Sequence, residues 1–372
     1  MCEIKKSMLF LPDLEIFDMR IVVTLLIICF YCSLAQGQTS APTYSNEFLS
    51  IGVGARSFAM GNSSIASQST VEAAYWNPSS LVDLQNKYDA SVMHSEYFGG
   101  LSTYDYLGFA IKLNKESALG LSLIRYGVDD IPNTLELIDK DGNLRYDRIT
   151  TFTSADYAFL ISYARQTKIK GLSVGGNVKL IYRHTGDFAN AYGFGIDLSA
   201  TYKKSNWRFA AVLRDASSTF NSWVFNTDDL EEVFAITGNE IPENSTELTL
   251  PRLILGVSKD FKISENFGIL TEFNADLTFD GKRNVLVQGD PLSIDPHMGV
   301  EASFKKFIFL RAGVNNFQEE TDFNNTLEWT FQPNLGLGIN YKGIRLDYAL
   351  TDIGDQSIAK YSNVFSLSYS FD

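Results

Sequence analysis

Three histidines are the residues of this chain best suited to proton transfer or to activating a nucleophile, and their surroundings argue against both. His94 abuts Ser95 and Glu96, His184 closes a run of alternating residues, and His297 follows Asp295-Pro296. None accompanies a Gly-x-Ser-x-Gly elbow of the kind that presents a hydroxyl to its base. Gly52-x-Gly54 lacks a third glycine three residues on and any strand–helix crossover, so it does not read as a phosphate loop. The stretch 139–143, DKDGN, alternates carboxylates but lacks EF-hand spacing and reads as a hydrated turn. Cys2, Cys29 and Cys32 are the three cysteines, and all precede a candidate cleavage point, so the mature chain can form neither a disulfide nor a thiolate metal site. These residues describe a non-enzyme with no cofactor. A net charge of −13 also disfavours nucleic acid, whose phosphates reward a basic face.

The elements around these residues carry the stronger signal. From about residue 88 onward the chain reads as about fourteen short strands with apolar side chains on one parity and small or polar ones on the other. Leu172, Val174, Val178, Leu180 and Tyr182 share a face, opposite Ser173, Gly175, Asn177 and Lys179. Phe267, Ile269, Phe273, Ala275 and Leu277 oppose Glu272, Asn274 and Asp276. A charge facing hydrocarbon at mid-bilayer costs about 2–4 kcal/mol, so confinement of Lys179, Asp197, Arg208, Glu272, Glu301 and Arg345 to one parity marks that face as the lumen of a barrel. Mean hydropathy near zero is compatible with this, because inward residues dilute the apolar signal.

Connections alternate in character. Tight basic ones (LNKE, YKKSN, FKKF, YKG) and two longer basic ones (RQTKIKG, SKDFKISEN) take turns with long acidic segments at 129–150, 215–247, 279–296, 315–331 and 352–362. Short turns on the periplasmic side and long loops outside are the asymmetry of outer-membrane barrels. A soluble sandwich or propeller does not require it. An even strand count then places both termini in the periplasm. In the last strand Phe365, Leu367, Tyr369 and Phe371 share one face and are expected to close the barrel on its first strand.

Ahead of the strands, Arg20 and the apolar run 21–34 lead into Ala35-Gln36-Gly37, which reads as a secretory signal cleaved near Gly37–Gln38. Residues 1–18 are either an upstream start or a longer basic region, and a retained N-terminal anchor is the competing reading. Residues 38–86 are small-residue-rich and broken by Gly52, Gly54 and Gly61, with one short helix expected at 55–66 and another at 70–74, and a turn at Asn77-Pro78. Small side chains allow close backbone approach, so this segment is expected to sit inside the barrel as a hatch, leaving 87–372 as the barrel. Arg56 in it either pairs with a lumen carboxylate such as Asp197, Glu272, Asp276 or Glu301, or is solvated; Asn77 is suited to hydrogen-bond backbone in a kinked turn.

The segments FLSIGVGARSFAMGNSSIA and AAYWNPSSL resemble the N-terminal signature of PorV/PorQ-type outer-membrane proteins of the Bacteroidota, which in turn resemble FadL-type barrels with an Asn-Pro motif in an N-terminal hatch. The likeness continues through MHSEYFGGL, YGVDDIPNT and SVGGNVKLIYRHTGDFANAYGFGIDLSA; Ser79 replaces the usual alanine after Asn77-Pro78. Gly52, Gly54, Arg56, Gly61, Trp76, Asn77 and Pro78 are the hatch motif this resemblance picks out. It implies an all-β transmembrane antiparallel barrel of fourteen strands with a hatch, in the outer membrane of a Gram-negative bacterium. It also implies an accessory role in type IX protein secretion, by recognition of a large translocon barrel or of secreted cargo. The acid-rich loop carrying Phe220, Trp223, Phe225 and Phe234 is the candidate partner-contact surface, since aromatics outside the bilayer are costly unless they pack or bind. The alternative is a FadL-like channel for hydrophobic small molecules. A third class, a barrel hydrolase, requires a Ser–His pair at the membrane edge.

Overall fold

The computed structural model describes residues 45–139, 141–227, 245–321, 326–353 and 361–372. The signal segment and Phe234 lie outside these residues. The strands are β1 (Tyr88–Tyr97), β2 (Ser102–Lys112), β3 (Ser117–Asn133), β4 (Thr150–Gln166), β5 (Leu172–Thr185), β6 (Ala189–Lys204), β7 (Trp207–Arg214) and β8 (Thr219–Phe225). They continue with β9 (Ser245–Thr249), β10 (Arg252–Lys262), β11 (Phe267–Thr278), β12 (Ser293–Phe304), β13 (Ile308–Thr321), β14 (Leu327–Tyr341), β15 (Ile344–Thr351) and β16 (Ser362–Phe371). Every pairing is antiparallel, and the ring closes because β1 pairs with β16 while β5 pairs with β6. Strand β6 carries both β7 and β8 along its length, and β9 and β10 follow the same two in register. Each of these pairs is therefore one interrupted wall strand, and the barrel has fourteen.

Lipid-facing and inward-facing residues alternate as the sequence requires. On β5 Val174, Val178 and Leu180 are 41%, 38% and 46% exposed, whereas Ser173, Asn177 and Lys179 are 3%, 2% and 3% exposed. At the closure Tyr88 pairs with Phe371 and their rings stack 5.2 Å apart; Tyr369 stacks on Phe371 at 5.0 Å, and Phe365 packs on Tyr348 at 5.0 Å.

Two features depart from the sequence reading. The connection of β1 to β2 (98–101) and that of β5 to β6 (186–188) are tight, although both lie at the end where the long connections lie. Conversely, much of 315–331 is strand, since β13 and β14 pair as far as Thr321 and Leu327. Loop length alone is thus a weaker marker of sidedness than basic against acidic character. The second departure concerns Phe220, Trp223 and Phe225, which lie on strand β8 and not in a loop. Phe220 faces lipid against Phe194, while Trp223 and Phe225 pair with Ala191 and Ala189 and so share the inward face of those buried alanines.

Residues 45–86 fill the inside of the ring. They form a turn of 3-10 helix at Glu47–Leu49, helix α1 (Ala55–Ala59), helix α2 (Ala73–Trp76) and a second 3-10 stretch at Pro78–Asp83. Both helices are shorter than or shifted from expectation. Gly61 and Asn62 adopt left-handed φ of 61° each, which stops α1 before Met60, and α2 begins after Glu72 with no side-chain cap. The wall yields to this segment at glycine: a Cβ on Gly313 would lie 2.1 Å from the Met60 carbonyl carbon, and one on Gly61 would lie 2.6 Å from the Val314 nitrogen. Backbone meets backbone there, which only glycine permits.

Candidate functional site

The inward face is chemically divided. Toward β1–β5 an apolar cluster predominates, beside buried Asp89 and Lys179: Met93, Tyr104, Tyr106, Ile124, Leu160 and Ile181 pack with Phe58, Ile65, Tyr75 and Trp76 of the inner segment. Toward β11–β16 it is charged. The sequence reading marks the lumen by its inward charges, and parity cannot reveal this division because aromatic and charged residues alike occupy inward positions.

On the charged side a chain of buried ion pairs ties the inner segment to the wall. Arg56 Nε lies 2.9 Å from Glu301, whose carboxylate also takes Arg311 Nε at 2.6 Å; Arg311 donates to Asp347 at 2.8 Å, and Arg345 contacts Asp347 at 2.9 Å and Glu72 at 3.6 Å. Arg56 further donates to Gln68 Oε1 at 2.9 Å and Ser67 Oγ at 3.1 Å. Of the four carboxylates weighed for Arg56, Glu301 is thus the partner. Glu272 instead accepts the backbone N–H groups of Ala66 (2.7 Å) and Ser67 (3.0 Å), Asp197 pairs with Lys179 at 2.9 Å, and Asp276 pairs with Arg252 at 3.4 Å. Burial alone would raise the Glu72 carboxyl, but Arg345 and hydrogen bonds from Thr70 and Ser91 outweigh it and hold the group below the usual carboxylate range.

The Asn-Pro motif is a second tie. Asn77 is extended (φ −159°) and Pro78 opens the 3-10 stretch, where a missing N–H is harmless. The Asn77 amide donates to Ile65 O at 2.6 Å and to Thr201 Oγ1 at 2.8 Å, and it accepts from Ser79 Oγ at 2.6 Å. Ser79 N–H donates to Ser199 Oγ at 2.9 Å, as alanine could, but the Ser79 hydroxyl adds contacts to Asn77 Oδ1 and, at 2.8 Å, Thr201 Oγ1 that alanine lacks. Trp76 Nε1 donates to Val53 O at 2.7 Å, and Arg214 lies 4.5 Å from the Tyr75 ring centroid, donating to the Tyr75 hydroxyl at 3.1 Å. Gly52, with φ 110°, lies under the Trp76 ring, and Gly54, with φ 86°, precedes α1 and donates its N–H to Met93 Sδ at 3.0 Å.

Between the inner segment and the loop-bearing rim lies a cavity of about 810 Å³. Its floor is Ile51, Phe58, Ile65 and Trp76; one wall carries Tyr97, Phe98 and Tyr126, and another carries Arg252, Asp276, Asp295 and His297. A second concavity of about 590 Å³ lies at the rim, lined by Pro132, Leu135, Phe152, Phe188, Trp223 and Phe225 among others. Phe152 and Phe188 meet edge to face at 5.1 Å, and Arg183 sits 5.0 Å from the Trp223 ring centroid. The inward rings of β8, Trp223 and Phe225, stack 6.1 Å apart, so apolar side chains take inward positions that elsewhere hold small or polar ones. A crevice of about 30 Å³, roughly one water in size, leads from the cavity between Leu49 and Arg214 to Leu250-Pro251, where β9 gives way to β10. Beside it the wall ladder is interrupted at Asp215 and Ser218, both with left-handed φ. Among the described residues no histidine is hydrogen-bonded to a serine: His94 contacts Asp105 at 2.7 Å, His184 contacts Asn190 at 2.8 Å, and the His297 ring faces Asp276 and Asp295 at 3.6 Å and 3.7 Å.

Comparison with known proteins finds no matching family model and no matching curated protein. Solved structures do match in fold. The toluene transporter TbuX of Ralstonia pickettii is 12% identical, with 86% of this chain and 99% of that one covered at a TM-score of 0.52. The toluene transporter TodX of P. putida is 14% identical, with 86% and 99% covered at 0.51. The monoaromatic hydrocarbon channel CymD is 13% identical, with 86% and 98% covered at 0.52. At these identities the likeness is one of fold, a closed fourteen-strand antiparallel barrel.

Proposed function

We propose that this protein is an outer-membrane channel that admits small, largely apolar molecules, in the manner that the names of its structural neighbours describe for those proteins. The observation that carries the reading is the inward aromatic groove of Trp223, Phe225, Phe152 and Phe188, set at the rim beside a cavity floored by Ile51, Phe58, Ile65 and Trp76. Inward rings at an aqueous mouth are costly unless something apolar covers them. The inner segment acts as a hatch across residues 45–86, held by the Arg56–Glu301 and Asn77–Thr201 ties. With the lumen barred, a greasy molecule leaves sideways into lipid through the weakened wall at Asp215–Ser218 and Leu250-Pro251. The rim with long acidic loops faces outward, and Lys87 and Asp372 lie at the periplasmic end.

The test is uptake of labelled toluene by intact cells with and without the protein. Faster uptake that falls several-fold in the Trp223→Ala/Phe225→Ala variant supports the reading; identical uptake in all three strains refutes it. A second reading, the type IX secretion accessory, draws support from the signature around Gly52–Gly61 and Trp76–Pro78 and from the tightly tied hatch, which suits a docking body better than a conduit. Under that reading a mild-detergent pull-down recovers a very large translocon barrel or secreted cargo.

A further inference from the structure

The polar wall of the mouth cavity carries an unbalanced feature that a bare hydrocarbon would leave unsatisfied. Asp276 and Asp295 are direct cross-strand partners on β11 and β12, an arrangement that places like charges side by side on the inward face. Arg252 answers Asp276 at 3.4 Å. Arg283 is turned to Asp280 at 2.9 Å. Among the described residues Asp295 makes no ion pair with any lysine or arginine; its nearest cationic candidate is the His297 ring, whose Nε2 stands 3.7 Å from Asp295 and 3.6 Å from Asp276. Neither spacing is a hydrogen bond. Asp295 Oδ1 and His297 Nδ1 are buried atoms with no hydrogen-bond partner. Orphaned polar atoms of this kind cost free energy when buried unless a hydrogen-bonding partner reaches them.

The opposite side of the cavity supplies the complement. β1 and β3, which carry Tyr97 and Tyr126, lie across the ring from β11 and β12, five to seven wall strands away in the fourteen-strand order. That side and the floor present Trp76, Tyr97 and Tyr126 to the same space. Arg252 and Arg283 act on Asp295 only at longer range, so an aromatic wall facing a carboxylate with no direct Lys or Arg contact favours a molecule with a positive, hydrogen-donating end and an apolar body.

We propose that the mouth cavity selects small organic amines: the protonated nitrogen docks between Asp295 and Asp276 beside His297, and the apolar body lies over Trp76 toward Tyr97 and Tyr126. This deepens the channel reading above and rests on it, since it names the head group of the molecule that the cavity accepts. The amine satisfies Asp295 Oδ1 as a donor and separates the two carboxylates electrostatically, which no hydrocarbon and no carboxylic acid does.

The test is calorimetric titration of the full mature protein in detergent with three probes of similar size: 2-phenylethylamine, propylbenzene and 3-phenylpropionate. The amine is expected to bind at least about tenfold more tightly than either of the others, equivalent to about 1.4 kcal/mol. In Asp295→Asn the ratio of amine to propylbenzene affinity is expected to collapse toward one. Removing one of two facing carboxylates relieves repulsion, so this variant is expected to fold. Lys168→Gln, in a turn at the opposite end of the barrel, should keep the wild-type ratio. Equal affinity for amine and propylbenzene, tighter binding of 3-phenylpropionate, or an Asp295→Asn variant with an unchanged ratio overturns the amine assignment and leaves the channel reading standing. Failure of all three probes to bind overturns both.

Discussion

Replacing Arg56 by Met should unlock the inner segment while leaving the barrel closed. Arg56 is 9% exposed, and its guanidinium serves Glu301, Gln68 and Ser67 together. Breaking a buried pair by deleting one partner costs about 3–5 kcal/mol, because the abandoned charge stays buried. Glu301 keeps Arg311 at 2.6 Å, so the lower figure of about 3 kcal/mol applies. At about 1.4 kcal/mol per tenfold, that is roughly a hundredfold rise in the open population of the segment. Hydrogen exchange read by mass spectrometry over peptides spanning 53–76 measures this directly. Peptides from β4 and β5 should keep their protection, because no wall hydrogen bond is touched. The double variant Arg56→Met/Glu301→Gln should recover part of the loss, since it removes the stranded carboxylate. Exchange at 53–76 within about threefold of wild type would refute the claim that this ion chain fastens the segment.

Three further outcomes follow from the same geometry. Gly313→Val should sharply lower the yield of folded, heat-modifiable barrel on gels, since even a Cβ would stand 2.1 Å from the Met60 carbonyl carbon; normal yield would show that the two backbones do not approach so closely. Acidification should loosen the segment through Glu72: its carboxyl is held below the usual carboxylate range, so its stabilisation is complete above the unfolded value of about 4.5 and is lost as pH falls through the lower folded value. Exchange at 70–76 should therefore rise at pH 3.5 but not at pH 5.5, and Glu72→Gln should remove that dependence. Tyr369→Ser/Phe371→Ser removes the stacking of Phe371 on Tyr88 and Tyr369, worth about 0.5–1.5 kcal/mol per ring pair, and should reduce membrane-assembled protein; unchanged levels would count against these rings as the closure.

Much of the barrel is legible in the sequence because a bilayer imposes a two-residue period that no local propensity can mask. Leu180 at 46% and Lys179 at 3% exposure are neighbours on opposite faces, as alternation alone demands. The interrupted strands are less legible: Arg214 to Thr219 and Thr249 to Arg252 carry turn residues, and only pairing joins their halves, β7 and β8 along β6, and β10 and β9 along β7 and β8. Trp223 and Phe225 looked like loop aromatics because inward rings spoil the alternation that identifies a strand. The Arg56 partner was one of four candidates, since which carboxylate meets a side chain from 245 residues away is decided by barrel geometry and not by spacing. Asp295 and His297 could be noticed as neighbours, but their lack of partners is a property of the folded cavity alone.

The central claim, that the rim groove and the cavity above the inner segment receive the transported molecule, is tested most directly by photo-crosslinking. A diazirine-bearing phenyl probe would be added to outer-membrane vesicles, irradiated, and its adducts mapped by mass spectrometry. Adducts concentrated on Trp223, Phe225 and Trp76, and suppressed by excess unlabelled probe, are the predicted result. Adducts confined to lipid-facing positions such as Leu180 and Phe159, with no competition, would contradict it.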